Sequence, residues 1–156
     1  MLALLFTSGT VQCSRAASTT IQAGPASAAE ERPSVPMQHA GIRVHSEPSA
    51  NHGRSLYVMI RSVPKDEADT ALESYEDATR MLFAAKRAPD VIAAEPIFPG
   101  VPLDIPLAEP VDHSVILYFF FTYPGESWRV QVPAPVPASV EIELGENEVN
   151  HVEVTR

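Results

Sequence analysis

The residues able to do chemistry are few, and their spacing is loose. Five histidines, His39, His45, His52, His113 and His151, are scattered through 156 residues with no ligand-like interval between them. His45 and His52 flank one loop, and a zinc site built on them needs at least one further ligand nearby, such as Glu47. Without that ligand the pair reads as solvated loop histidines. Glu141, Glu143, Glu146 and Glu148 surround one turn, the kind of carboxylate grouping that calcium seeks. Yet Glu141 and Glu143 alternate with Val140, Ile142 and Leu144, so they read as the outward face of a strand. The chain carries no GxSxG elbow, no HExxH, no P-loop and no dinucleotide fingerprint. Cys13 sits in a segment too short and polar to build the base and orienting group that a catalytic thiol needs. No catalytic residue, metal or cofactor is expected, so function falls to surface and location.

Cys13 offers a different chemistry. It is the single cysteine, so it forms no internal disulfide, and it follows a short apolar run, Leu2 to Phe6, and the segment Thr7 to Gln12. It is either an incidental thiol or the first residue of a mature, lipid-anchored protein. Residues 1–12 resemble the tail of a secretory signal without its basic start, since Met1 is followed at once by Leu2. Residues 14–38 are rich in Ala, Ser, Thr and Pro and show no helical or strand period; they read as a flexible linker. As a coil, such a linker spans ~27 Å. The expected organisation is a remnant signal at 1–12, Cys13 and linker to residue 40, and one folded domain over 41–156.

Composition limits the partners. A net charge of −9 leaves no basic stripe of the kind that phosphate neutralisation requires, which argues against nucleic acid. No stretch reaches the length of a membrane-spanning helix; the longest apolar run, VILYFFF at 115–121, has strand-like length and content. Fifteen prolines against seven glycines lean towards a loop-rich β fold.

Strand signals then recur along the chain. Ile42 and Val44 alternate with Arg43 and His45; SEPSANHGR at 46–54 is a loop; Leu56, Val58 and Ile60 share one face of the next strand, which Pro64 ends. Residues 66–87 form the one helix, with an apolar stripe of Leu72, Tyr75, Ala78, Leu82 and Ala85. It starts at Thr70 or at Ser74, and Pro89 stops it. Leu103, Ile105 and Leu107 mark a strand that Pro106 places at an edge. Residues 114–122 are apolar on both faces, as in a central strand, and 118–132 should form a hairpin through YPGE. In that run Tyr118 and Phe120 share one face, and Phe119, Phe121 and Tyr123 the other. One set is expected in the core and the other under the helix stripe. Val140, Ile142 and Leu144, the GENE turn, then Val152 and Val154 complete about seven short strands. The fold class is mainly β: an antiparallel β-sandwich with one inserted α-helix.

The order of these pieces resembles a known family. GIRVH, a loop carrying Gly53-Arg54-Ser55, LYVMIRSV, a helix around SYEDATRMLF, FPG at 98–100, LDIPL, a strand reaching Trp128-Arg129-Val130 and a closing PASVEIELGENEV together resemble the outer-membrane lipoproteins of bacterial type VI secretion systems, the TssJ/SciN family, over about residues 42–150. The resemblance implies a transthyretin-like sandwich without enzymatic activity, acylated at Cys13 and resident on the periplasmic face of the outer membrane. It implies a partner, the periplasmic region of an inner-membrane TssM-like protein, with other membrane-complex subunits as further candidates. It also implies that the loop between the first two strands makes that contact: here Ser46, Glu47, Pro48, Asn51, His52, Gly53 and Arg54, with Asn51, His52 and Arg54 the foremost polar contacts. The signal departs from the usual lipobox, with Thr10, Val11 and Gln12 before the cysteine, while Ser14 lacks the Asp of inner-membrane retention. A second class stays open: a secreted transthyretin-like module binding carbohydrate or peptide through exposed Tyr57, Tyr123 and Trp128.

Overall fold

The computed structural model describes residues Pro36–Thr155; the leader, Cys13 and most of the linker lie outside them. Eight strands and one helix follow in the order β1 (Met37–Ser46), β2 (Leu56–Pro64), α1 (Tyr75–Leu82), β3 (Val91–Ile97), β4 (Leu103–Pro110), β5 (His113–Phe120), β6 (Arg129–Val132), β7 (Ser139–Leu144) and β8 (Val149–Thr155). They form two four-stranded sheets, β4-β1-β7-β8 and β3-β2-β5-β6.

The sandwich expected from alternation is present. Ile42 and Val44, Val58 and Ile60, Ile105 and Leu107, and Val140, Ile142 and Leu144 all turn inward and meet Val115, Leu117, Phe119 and Phe121 in one core. Each such burial contributes about 1.5–3 kcal/mol. Pro106 does sit in an edge strand, with β1 as its only neighbour. Strand β5 lies between β2 and β6, and its aromatic run divides as alternation requires. Phe119 and Phe121 enter the sandwich core, while Tyr118, with Ile116 and Phe120, packs on the other face beneath the helix.

Four details differ from the sequence reading. Strand β1 begins at Met37, upstream of Gly41, because Met37 to Ala40 pair with Leu107 to Pro110 of β4 despite lacking an alternating pattern. Strand β3, VIAAEPI, has small residues and Pro96 where a strand signal would stand; it forms because β2 pairs with it. One pair, β1 with β7, is parallel, whereas every other pair is antiparallel. The helix starts after Ser74, whose hydroxyl accepts from the Asp77 N–H, but it ends at Leu82. Leu72 and Ala85 therefore lie outside it. The chain must leave the helix early to bring Asp90 to Arg61 and begin β3 at Val91.

That return is fixed by a buried charge. The Arg61 side chain is only 9% exposed and pairs with Glu73 and Asp90. Its Nε donates to Asp90 at 2.7 Å, and its Nη1 donates to the Ala71 carbonyl at 3.2 Å and to the Tyr118 hydroxyl at 3.3 Å. Burial by itself would weaken the guanidinium's hold on its proton; the bonds to Asp90 and Glu73 outweigh it and raise the pKa above its ordinary value. The Tyr118 hydroxyl in turn donates to Glu73 and lies 3.0 Å from the Ala71 carbonyl, and burial followed by the Glu73 carboxylate pushes it up to about 12. The 65–90 segment is thus pinned to β2 and β5 by one cation. Arg61→Ala leaves two partly buried carboxylates unpaired and should cost about 3–5 kcal/mol of stability in urea unfolding.

Candidate docking surface

The loop between β1 and β2 is held from three sides. At its start, Gly100 donates its N–H to the Ser46 carbonyl at 3.0 Å, and Glu47 donates to the Leu144 carbonyl at 3.2 Å. A Cβ built on Gly100 would stand 3.6 Å from Pro48, so the 98–101 turn packs directly on the loop. In the middle a 3-10 turn runs over Ala50–Gly53, with Asn51, His52 and Gly53 all at positive φ (49°, 56° and 74°). Asn tolerates this region better than most residues and Gly adopts it freely, which accounts for the chemistry of the Asn-His-Gly sequence.

Asn51 is the residue that makes the turn rigid. It is 1% exposed. Its amide donates to the carbonyls of Ser55 at 3.0 Å and Arg54 at 3.3 Å, and its Oδ1 accepts from the Thr122 N–H at 2.6 Å. All its hydrogen-bonding reach is spent inside the molecule, tying the loop to the end of β5. The sequence reading, which set Asn51 among the foremost polar contacts, could not see that Thr122, 71 residues away, would meet it.

The other residues of the loop divide differently. His52 is exposed: its Nδ1 lies 2.9 Å from Glu146, and its ring stands edge-on to Tyr123 with centroids 5.7 Å apart. Arg54 is exposed and has no ion-pair partner among the described residues. Glu47 and Pro48 are exposed, Ser46 half-buried, and the Ser49 hydroxyl donates to Glu47 at 3.2 Å. Gly125 donates to the Asn147 carbonyl at 2.8 Å, so the 121–128 and 145–148 connections are also bound to each other. The loop therefore stands in a group of four connections at one end of the sandwich. Exposed Phe98 and Val101 lie in the connection beside Pro48, and exposed Tyr123 lies beside His52. The sequence singled out Tyr123 as an exposed aromatic and Phe98 only as part of the FPG piece, and gave Val101 no role; the three acquire a common setting only when the loops converge.

The remaining candidates are not drawn together. His45 Nε2 lies 3.9 Å from Glu141, whereas His52 meets Glu146, so the two loop histidines face different carboxylates. Among the described residues no group of three or more His, Cys, Asp or Glu side chains is placed to hold a metal ion. Of the aromatic trio, Trp128 packs edge-on against Tyr75 at 5.0 Å and tilted against Tyr118 at 5.7 Å, which takes it into the layer beneath the helix. Tyr123 stands at the loop end and Tyr57 opposite Phe120 in β2, so the three have separate surroundings.

With this architecture in hand, the class is defined by its fold. The structure is similar to that of the T6SS lipoprotein TssJ1 from Pseudomonas aeruginosa, with TM-score 0.57 and 15% identity over 78% of this chain and 98% of that one. It is similar to Serratia marcescens Lip, a membrane-bound component of the type VI secretion system, with TM-score 0.55 and 11% identity over 76% and 97%. It is also similar to a chain of the structure described as the T6SS protein TssM C-terminal domain from EAEC, with TM-score 0.54 and 17% identity over 76% and 98%. No curated relative matches the sequence. The family is given by sequence: the chain belongs to the IglE N-terminal domain family, whose model matches residues 57–144, more than half its length. The resemblance to type VI secretion lipoproteins of the TssJ type is borne out on both grounds.

Because Asn51 serves the loop and not the surface, Asn51→Ala should lower stability. The bonds lost to the Thr122 N–H and to the Ser55 and Arg54 carbonyls cost about 0.5–1.5 kcal/mol each, and the loss is read from thermal or urea unfolding.

Proposed function

We propose that this protein is a non-enzymatic lipoprotein of a type VI secretion membrane complex, anchored in the outer membrane through Cys13 and docking the periplasmic region of a TssM-like inner-membrane protein. Membership in the IglE N-terminal domain family, on a sandwich shared with TssJ1 and Lip, is the observation that carries this reading. Residues 1–12 would be removed as a signal, and the segment from Cys13 to Pro36, before β1, would serve as tether. Each methylene of an acyl chain buried in the bilayer contributes ~0.8 kcal/mol, and stable anchoring takes two membrane signals, which several chains on one cysteine supply. Fixing the domain to a membrane that faces its partner raises the effective concentration of each for the other.

The docking element in this proposal is the β1–β2 loop. Its bonds to Leu144, Gly100 and Thr122 support that role, because a preorganised loop loses little conformational freedom on binding. His52 and Arg54 are the polar contacts it presents, Glu47 and Pro48 its flank, and Asn51 and Gly53 its scaffold.

Two experiments test the two halves of the proposal. Cys13→Ser should move the protein from the outer-membrane fraction to the soluble periplasmic fraction; full retention in the membrane rejects the anchor. Replacing His52 and Arg54 together by Ala should weaken binding to the periplasmic region of the TssM-like protein by about tenfold or more, given the usual weight of central contacts. Unchanged affinity in a variant with unchanged melting temperature rejects this loop.

A further inference from the structure

The four edge strands of the sandwich are not equally protected. An edge presents unpaired N–H and C=O groups that template another strand, and proteins blunt such edges with proline, brevity or charge. Strand β4 carries Pro106 and Pro110, and β3 carries Pro96. Strand β6 has only four residues and runs directly into Pro133, with Pro135 and Pro137 following. Strand β8, VNHVEVT, has seven residues with no proline, glycine or lysine. At its start Val149 donates its N–H to the Ser127 carbonyl at 2.7 Å; from Asn150 onward this edge has no backbone partner among the described residues.

Two further features lie along β8. Val152 and Val154 stand opposite Ile142 and Val140 of β7 and so face the core side, yet they are 36% and 47% exposed. Strand β6 ends at Val132, and an apolar groove of about 760 Å³, lined by Gln131, Val132 and the Pro133–Pro137 segment, opens beside these valines. On the outer face, Glu153 lies opposite the like-charged Glu141 and has no ion-pair partner among the described residues, while His151 lies opposite Glu143. Like charges set directly across a strand pair repel. Glu153 thus lacks a favourable neighbour on the side where the sheet ends.

We infer that β8 pairs with β8 of a second copy of this chain, antiparallel and centred on Val152, joining the two four-stranded sheets into one. This register is self-complementary. Residues whose numbers mirror about Val152 face each other, so His151 of each copy meets Glu153 of the other, twice in one two-fold interface. The two Val152 side chains meet at the axis, and the mouths of the two apolar grooves adjoin. Cross-strand pairing satisfies the free backbone edge, the His151–Glu153 pairs supply register, and the valines lose their contact with water. A hetero-partner strand would need no such mirror complementarity, which is why the second copy is the occupant favoured. The inference rests on the strand edges alone and is independent of the β1–β2 loop and its partner.

The test uses the full chain with Cys13→Ser, so that acylation plays no part, and sedimentation equilibrium over about a hundredfold range of concentration. Concentration-dependent dimerisation is expected. His151→Glu sets Glu against Glu153, and Glu153→His sets His against His151; each should weaken the dimer about fivefold or more, through two equivalent contacts. The exchange His151→Glu with Glu153→His should restore it. Val152→Pro should abolish dimerisation; because His151→Glu also faces Glu143 within the chain, melting temperatures are measured alongside and dimer constants are compared at a temperature where every variant is folded. A chain that remains monomeric throughout overturns the inference, including the case where β8 variants instead lose binding to another protein. A dimer indifferent to both single charge variants, or not rescued by the exchange, overturns it equally.

Discussion

The buried guanidinium of Arg61 is the constraint around which one whole face of the molecule is arranged. A charge withdrawn from water must find compensation close by, and Arg61 finds it in Glu73 and Asp90, with the Ala71 carbonyl and the Tyr118 hydroxyl as further acceptors. These partners come from the segment before the helix, the turn after it, and β5. Their convergence dictates the length of the 65–90 insertion, the place where α1 must end and the start of β3. It also gives the helix its floor: Tyr118 and Trp128 form the surface on which Tyr75 rests, and Tyr75 bonds the Phe121 carbonyl at the end of β5.

From Phe121 the constraint passes to the loop end. Thr122, the next residue, donates to Asn51, so the strand that carries the helix floor on one face also fixes the β1–β2 loop at its tip. Rigidity at the loop is therefore a consequence of how β5 is seated between β2 and β6. The same strand order leaves β8 at the edge of the other sheet, where Ser127 bonds only its first residue, Val149, among the described residues. One sandwich thus offers two unlike surfaces: a knotted group of loops at one end, rich in polar and aromatic side chains, and a plain strand edge along one flank.

Much of the fold could be read directly. Period-two alternation located the core faces of β1, β2, β4, β7 and the aromatic β5, and Ser74, one of the two helix starts the sequence offered, is the cap. Where a local signal was weak the reading failed. β3 is held by its neighbour and not by its own residues, Ala93, Ala94 and Pro96, and the N-terminal half of β1 has no apolar alternation to announce it. For the candidate surface, composition and family resemblance found the loop, but the division of labour within it was hidden. Asn51 and His52 are adjacent, polar and turn-forming, and nothing local says that one is 1% exposed and the other faces solvent.

The sequence by itself determined the class: strands at short intervals, one capped helix, no catalytic motif, and a chain order shared with type VI secretion lipoproteins. The strands and the helix follow from periodicity and propensity, which act between residues near one another in the chain; the family came from resemblance. Only the tertiary structure decided that β1 pairs parallel with β7, that Arg61 is a buried hub and that Asn51 is scaffold. It alone decided that β8 is the edge left open from Asn150 onward. Each of these depends on groups brought together from distant positions, 29 residues apart for Arg61 and Asp90 and 71 for Asn51 and Thr122, and whether a polar group is buried or a strand edge covered is a property of the neighbours that arrive, not of the residue itself.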